Sequence, residues 1–478
     1  MAESLSTAAP SPVAARSRSA RRLILPLALA QFICSFAGSN LNVMISDISN
    51  DLDTTVKGVQ TSITLFLLIM AILMIPASKL TDRWGRKQCL IGGLALYGVG
   101  ALMCSVAPGL GVLILGNSVL EGVGTAFLIP PVYILATVWF EDVTARAWAF
   151  GVISGLGGIG AAAGPLIGGV LASAISWRAA FVFQAAVVAL IILLSRSLDD
   201  PLPADPSRPF DLVGAILSGV GMLSLVVGIL QAGSNYTLMA VLLVVGAAFL
   251  AAFFRYIRAR ERAGKEPLLS TGLFRNRTSN VALVTQNVQW LMLMGTSFVV
   301  SVFLQEVRGY SPIRTGVIFT AATLGILVAS LAAARLARRF SQRTLIIAGF
   351  VVTLAGIALL VLLVRASTSS AAFAPGLLLI GLGLGGMLTP SVNVVQSSFP
   401  ESLQGEISGL SRSVSNLGSS LGTAIAGTIL ISVVATGNRA YVVAMAALGL
   451  FGLVGLAAAL RLPRDITSAE PTEPTRPS

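Results

Sequence analysis

The strongest constraint on this chain is a succession of apolar stretches about 20 residues long, separated by short polar or basic segments. A helix rising about 1.5 Å per residue needs roughly 20 apolar residues to cross a hydrocarbon core about 30 Å thick. Fourteen such stretches are legible, near 23–46, 59–80, 88–107, 110–137, 145–172, 178–195, 211–232, 237–256, 279–304, 314–334, 344–364, 372–396, 405–434 and 440–461. Most are apolar all round, so periodicity does not say which face meets lipid. A soluble chain carries about 25% charged residues. Here 11% are charged and 55% hydrophobic, too little charge to cover a water-facing surface. The chain reads as an all-α polytopic membrane protein.

Charge placement predicts the orientation. With both termini cytoplasmic, all but six of the 32 Lys and Arg fall on the cytoplasmic side, the exceptions being Lys57, Arg178, Arg308, Arg314, Arg365 and Arg439. That is the positive-inside bias, and deleting one helix would place later basic clusters on the wrong side. The net charge of +12 is therefore a topology signal, and nucleic-acid binding is not supported. The basic run from Arg255 to Arg277 is a solvated loop or a contact for anionic headgroups. Arginine outnumbers lysine 28 to 4, which points to a GC-rich bacterial genome. Arg21-Arg22 and Ala28-Leu29-Ala30 resemble a signal peptide, but cleavage there leaves an apolar region of only about five residues, so an uncleaved first helix is expected. Segments 1–22 and 462–478 read as disordered cytoplasmic ends.

The chain has no histidine, which removes His-dependent triads, His general bases and His-ligated metals. Cys34, Cys89 and Cys104 cannot build a four-thiolate site and read as free buried thiols. No metal or cofactor is expected, and no G-x-x-x-x-G-K-S/T phosphate loop is present.

A repeat divides the chain. ASKLTDRWGRK (77–87) aligns without gaps on AARLARRFSQR (333–343), each following the second helix of a six-helix set. Duplicated helix sets are transporter architecture. The expected organisation is a six-helix half at 23–195, a linker at 196–278 carrying two inserted helices and a basic loop, and a six-helix half at 279–461.

Two segments carry further information. In SKLTDRWGRK (78–87), Asp82 can pair with arginines and helix-end dipoles and Gly85 permits a tight turn, so the loop is a latch or a simple cytoplasmic anchor. The fifth stretch contains GLGGIG (155–160) running into GAAAGPLIGG (160–169). Its small residues allow close backbone approach, and Pro165 removes a helix hydrogen bond and kinks the helix, consistent with tight packing or with a rocking point.

These segments resemble the major facilitator superfamily, in its fourteen-helix drug:proton antiporter branch, over nearly the whole length. The 78–87 loop, with Asp82, Arg83, Gly85, Arg86 and Lys87, matches the family's G-x-L-x-D-R-x-G-R-K/R loop, with Ser78 in place of the first glycine. Gly160, Gly164, Pro165, Gly168 and Gly169 complete the family's antiporter motif G-x-x-x-G-P-x-x-G-G. SWRAAFVFQ (176–184) and FLQEVRGYSPIRTG (303–316) resemble further segments of the branch. The departures are as specific. FAGSNLNVMISDI (36–48) has Ala37 where the branch has an acid and Ser46 where it has a proline. In the fourth stretch, Ser118 and Glu121 stand where the family has the arginine and glutamine of R-x-x-Q-G.

Glu121 is the acid placed deep inside a predicted span, eleven residues beyond Leu110. An ionised, unpaired carboxylate at that depth costs several kcal/mol. It is a candidate proton carrier, a counter-ion for a cationic substrate, or a protonated acid bonded to a neighbouring helix. Its counterpart in the second half is near Ile380, so a proton site there is one-sided. Asn117 and Thr125, four residues to either side, are expected on the same helix face. The resemblance implies a central cavity lined by helices 1, 4, 7 and 10, with Gln31, Asn42, Asn117, Thr125, Gln286, Trp290 and Asn393 as candidate lining residues or interhelical bonding groups.

The expectation is a major facilitator-like bundle of fourteen transmembrane helices in a plasma membrane, working as a monomer. Its function would be proton-coupled export of small hydrophobic or cationic compounds by alternating access. Transport of one endogenous metabolite on the same scaffold is the alternative, and a non-transporting sensor or enzyme a remote one.

Overall fold

A computed structural model describes residues 12–140, 143–200, 204–337, 339–366, 369–400, 403–432 and 438–463. All regular structure among them is helical. Helix α1 runs from Pro12 to Asn40 and continues through a 3-10 turn (Leu41–Met44) into Ile45–Asp51. It is followed by α2 (Val56–Trp84), α3 (Arg86–Ser105), α4 (Leu110–Trp139), α5 (Val143–Ala174) and α6 (Trp177–Ser195). Next come α7 (Leu212–Leu230) and α8 (Tyr236–Arg262). The last set is α9 (Arg277–Val302, extended by Phe303–Val307), α10 (Pro312–Ala337), α11 (Gln342–Ala366), α12 (Ala374–Ser397), α13 (Gln404–Ser432) and α14 (Asn438–Ala459). The expected disordered ends fall largely on residues 1–11 and 464–478, outside the described residues, while Pro12–Arg22 is helical.

Local chemistry sets the helix boundaries. Thr55, Ser176, Asp211, Asn235 and Asn276 each accept a backbone N–H of the first turn they precede. Gly85 ends α2 at φ +94°, a conformation that suits only glycine, and so allows α3 to start at the next residue.

Among the described residues, 12 helices are long and apolar enough to cross a membrane, or 13 with α5 taken as one bent span. The thirteenth apolar stretch expected from sequence, near 405–434 and now α13, is not among them, and its apolar end runs on past the described residues. Ser413 Oγ donates to the Ala71 carbonyl at 2.6 Å and Ser420 Oγ to the Thr64 carbonyl at 3.0 Å, while Gln60 Nε2 donates to the Thr423 carbonyl at 3.0 Å. A helix enclosed by other helices can carry hydroxyls that bond across the interface, where a lipid-facing helix cannot.

Helix α1 packs along α5, and α3 along α4 and α6; α9 packs on α13 and α14, and α12 on α10 and α11. The first six helices meet the last six along α2–α13 and α5–α10. The α7–α8 pair sits outside, with α7 against α2 and α13 through Leu68, Val226, Leu230 and Ala424.

Candidate functional site

The deepest polar feature is in α4. Its backbone is π-helical from Ile114 to Glu121, returning to α geometry at Gly122. Such bulges widen the turn and are concentrated at functional sites. The widened turn separates residues that α spacing would align. Asn117 turns to α2, its Nδ2 donating to Ser62 Oγ at 3.1 Å. Glu121 lies against α3, where a Cβ on Gly100 would stand 2.9 Å from Glu121 Cγ. Thr125 faces Cys34 of α1. Asn117 is therefore turned away from the face of Glu121 and Thr125, which have Cys34 as a common neighbour.

Glu121 is completely buried, and neither carboxylate oxygen has a hydrogen-bond partner among the described residues. Its electrostatic neighbours are Tyr97, Cys104 and Cys34. Tyr97 donates its hydroxyl to Gln184 of α6, so it is committed elsewhere. Ser118, at the family's arginine position, donates to the Ser62 carbonyl at 2.8 Å and helps to hold the bulge against α2.

The other polar candidates lie at several depths. Gln31 donates to Ser35 Oγ and accepts from Tyr133 Oη, both at 3.3 Å. The carbonyl of Asn42 accepts from Gln305 Nε2 at 2.9 Å, and the amide of Ser46 donates to Gln305 Oε1 at 3.1 Å. Ser46 Oγ also donates to Glu306, so this end of α1 is stapled to α9. Gln286 bonds to α13, donating to Ser415 Oγ at 2.9 Å and accepting from Ser411 Oγ at 3.0 Å. Trp290 is half-buried on α9 and Asn393 exposed on α12.

The glycine motif of α5 serves two helices at once. A Cβ on Gly160 would overlap the Phe32 carbonyl group, one on Gly164 the Ser39 hydroxyl, and one on Gly168 would lie 3.1 Å from Asn40 Cβ, all on α1. Gly169 faces α10, where a Cβ would be 2.5 Å from the Pro312 carbonyl oxygen, and Gly316 of α10 faces the Pro165 carbonyl in return. The helix bends by 41° between segments 148–161 and 163–174. Pro165, in the second segment, lacks the N–H that would bond to residue 161, which lowers the cost of bending this helix.

The 78–87 loop is a charged junction. Asp82 accepts from Arg86 Nη2 at 2.7 Å and from Arg208 Nη1 of the linker at 2.9 Å. The N-terminus of α3 is held by Asp200, whose Oδ2 accepts from the backbone amides of Arg86 (2.7 Å) and Lys87 (3.2 Å). Lys87 Nζ donates to the Arg196 carbonyl at 2.9 Å, and Arg83 is half-buried. The tie to the last six helices comes from Lys79, 2.8 Å from Glu406 Oε1 at the start of α13. Sequence reasoning missed Asp200, Glu406 and Lys79 in these roles. An acid just after one helix and another at the start of a second were the available signals.

The fold and its polar interior define a multi-pass membrane transporter. The family model of the Major Facilitator Superfamily matches residues 27–423 and 282–477, and the chain belongs to that superfamily. It is 30% identical over 406 residues to the puromycin resistance protein pur8 of Streptomyces alboniger, covering 84% of this chain and 80% of that protein. It is 30% identical over 370 residues to the multidrug efflux pump LfrA of Mycolicibacterium smegmatis, covering 77% and 72%. A crystal structure of the peptide transporter POT with sulfate superposes with a TM-score of 0.68 at 16% identity, over 92% of this chain and 94% of that one, a likeness of fold.

Proposed function

We propose that this chain is a proton-coupled antiporter of the fourteen-helix drug-export branch. It exports hydrophobic or cationic drug-like compounds across a bacterial plasma membrane by alternating access, as a monomer with both termini in the cytoplasm. The bodies that rock are the halves 23–195 and 279–461. The observation that carries the coupling is Glu121, an acid wholly enclosed by α3 and α4 with no protein partner for either oxygen. An ionised carboxylate is not sustained in such a place, so the enclosed state is the protonated one. Enclosure on all sides, with neither oxygen bonded, favours a proton carrier over a direct counter-ion for substrate. In the cycle, Glu121 releases its proton toward the cytoplasm as substrate binds and regains one from outside as substrate leaves. The names of the relatives, resistance proteins and efflux pumps, support drug export.

The test is energised efflux of a fluorescent lipophilic cation from pump-deficient cells, native chain against Glu121→Gln at equal membrane levels. Efflux by the native chain and its loss in the variant is the expected result. Efflux that survives the substitution removes Glu121 from coupling. No efflux by either chain turns the substrate class toward a single metabolite.

A further inference from the structure

A second charged group lies inside the bundle, and it carries the opposite sign. Arg412 is on α13, six residues beyond Glu406, about 9 Å deeper at helical rise. Counted from sequence among the cytoplasmic basic residues, it is in fact turned to the first six helices. Its guanidinium carbon is 4.6 Å from the ring centroid of Tyr133 on α4. It is half-buried, and among the described residues it has neither a carboxylate within ion-pairing distance nor a hydrogen-bond acceptor. A cation–π contact satisfies the charge in part but none of the five N–H donors.

Its surroundings are aromatic and polar. The Tyr133 ring that the arginine meets is itself 5.8 Å from the ring of Phe150 on α5, tilted by 56°. Tyr133 is fixed by its bond to Gln31, which is fixed in turn by Ser35. Gly157 of α5 leaves room, since a Cβ there would stand 2.8 Å from Gln31 Cγ. The arginine comes from the last six helices, and the aromatic wall from the first six.

We propose that Arg412, Tyr133, Phe150 and Gln31 form a substrate subsite for a planar aromatic compound bearing an anionic oxygen group, a carboxylate or phenolate. The guanidinium takes the oxygens through paired N–H donors, the rings stack on the aromatic body, and Gln31 with Ser35 offers further hydrogen bonds. An arginine in a membrane bundle is costly unless it meets a counter-charge, and here the ligand supplies it. The inference rests on the export reading and adds acidic aromatics to its substrate classes.

The test is equilibrium binding to the detergent-purified full chain of three fluorescent compounds on one ring system: 9-anthracenecarboxylate, its carboxamide, and 9-anthracenemethylammonium. A charge-assisted pair is worth about 10- to 100-fold in affinity, so the carboxylate should bind at least about tenfold tighter than the amide. Arg412→Gln should bring the carboxylate down to the amide, and Arg412→Lys should keep part of the preference. Equal binding of carboxylate and amide by the native chain, or a preference that persists in Arg412→Gln, overturns the subsite. The native comparison decides even where a variant misfolds. Those results beside intact lipophilic-cation efflux leave the export reading standing. Failure of all three compounds to bind, together with absence of efflux, overturns both.

Discussion

Replacing Gly160 by alanine tests whether the glycine motif of α5 is a packing surface. A Cβ there would lie 3.0 Å from the carbonyl carbon and 3.1 Å from the Cα of Phe32, with the carbonyl oxygen closer still. These are backbone atoms, so no side-chain rotation relieves the overlap, and α1 and α5 must part by several tenths of an ångström. Overpacking of this kind costs about 1–3 kcal/mol. Gly158, two residues earlier on the same helix, is the control, because a Cβ there meets nothing within 4 Å. Both substitutions gain the same helix propensity, up to about 1 kcal/mol, so the difference between them isolates packing. In a body of 150–250 residues, each kcal/mol moves Tm by about 2–4 °C. Thermal unfolding of the two purified variants should therefore separate them by several degrees, Gly158→Ala lying at or above the native chain. Equal melting temperatures, or a more stable Gly160→Ala, would refute the packing argument.

Two further perturbations probe the charged loop. Gly85→Ala forces a side chain into φ +94° and should cost about 1–2 kcal/mol, read as a lower Tm of the purified protein, with no change at all counting against a required glycine there. Lys79→Glu sets two acids against each other at the α2–α13 contact and should depress efflux at equal membrane levels, with the reversed pair Lys79→Glu/Glu406→Lys restoring it; failure of the swap to rescue means the ion pair does not link the helices in function.

Much of the fold was legible because the bilayer imposes it. Apolar runs of fixed length and the bias of basic residues are direct consequences of a hydrocarbon solvent, and they located every long helix from α1 to α14. What surrounds a helix is not legible in the same way, and the serines of α13 that bond across to α2 show it. The candidate site shows a second limit. Glu121 stands out in sequence by its depth, but its orientation does not, since the π turn from Ile114 to Glu121 shifts the register and turns Asn117 to α2 while Glu121 lies against α3. Arg412 was hidden for a third reason. Eight residues from the start of α13, it counts as a topology charge until Tyr133, 279 positions away in the chain, is seen beside it.

The contacts between the two sets of helices are unequal at the two ends of the bundle. At the end carrying Gln305, α1 is stapled to α9 by bonds to Asn42 and Ser46, and α5 meets α10 backbone to backbone at Pro165–Gly316 and Gly169–Pro312. Such contacts have no side chain to swing aside. At the other end the Lys79–Glu406 pair joins the sets through side chains about a quarter exposed, an interaction of about 0–1 kcal/mol. The bend in α5 falls between its 148–161 segment and the 163–174 segment that holds α10. A rocking motion that keeps the glycine contacts and parts the helices at the Lys79 end would break the Lys79–Glu406 pair and, about two turns deeper, the Ser413–Ala71 bond. Arg412 and Tyr133 stand on opposite sides of that junction, so the same motion would part them.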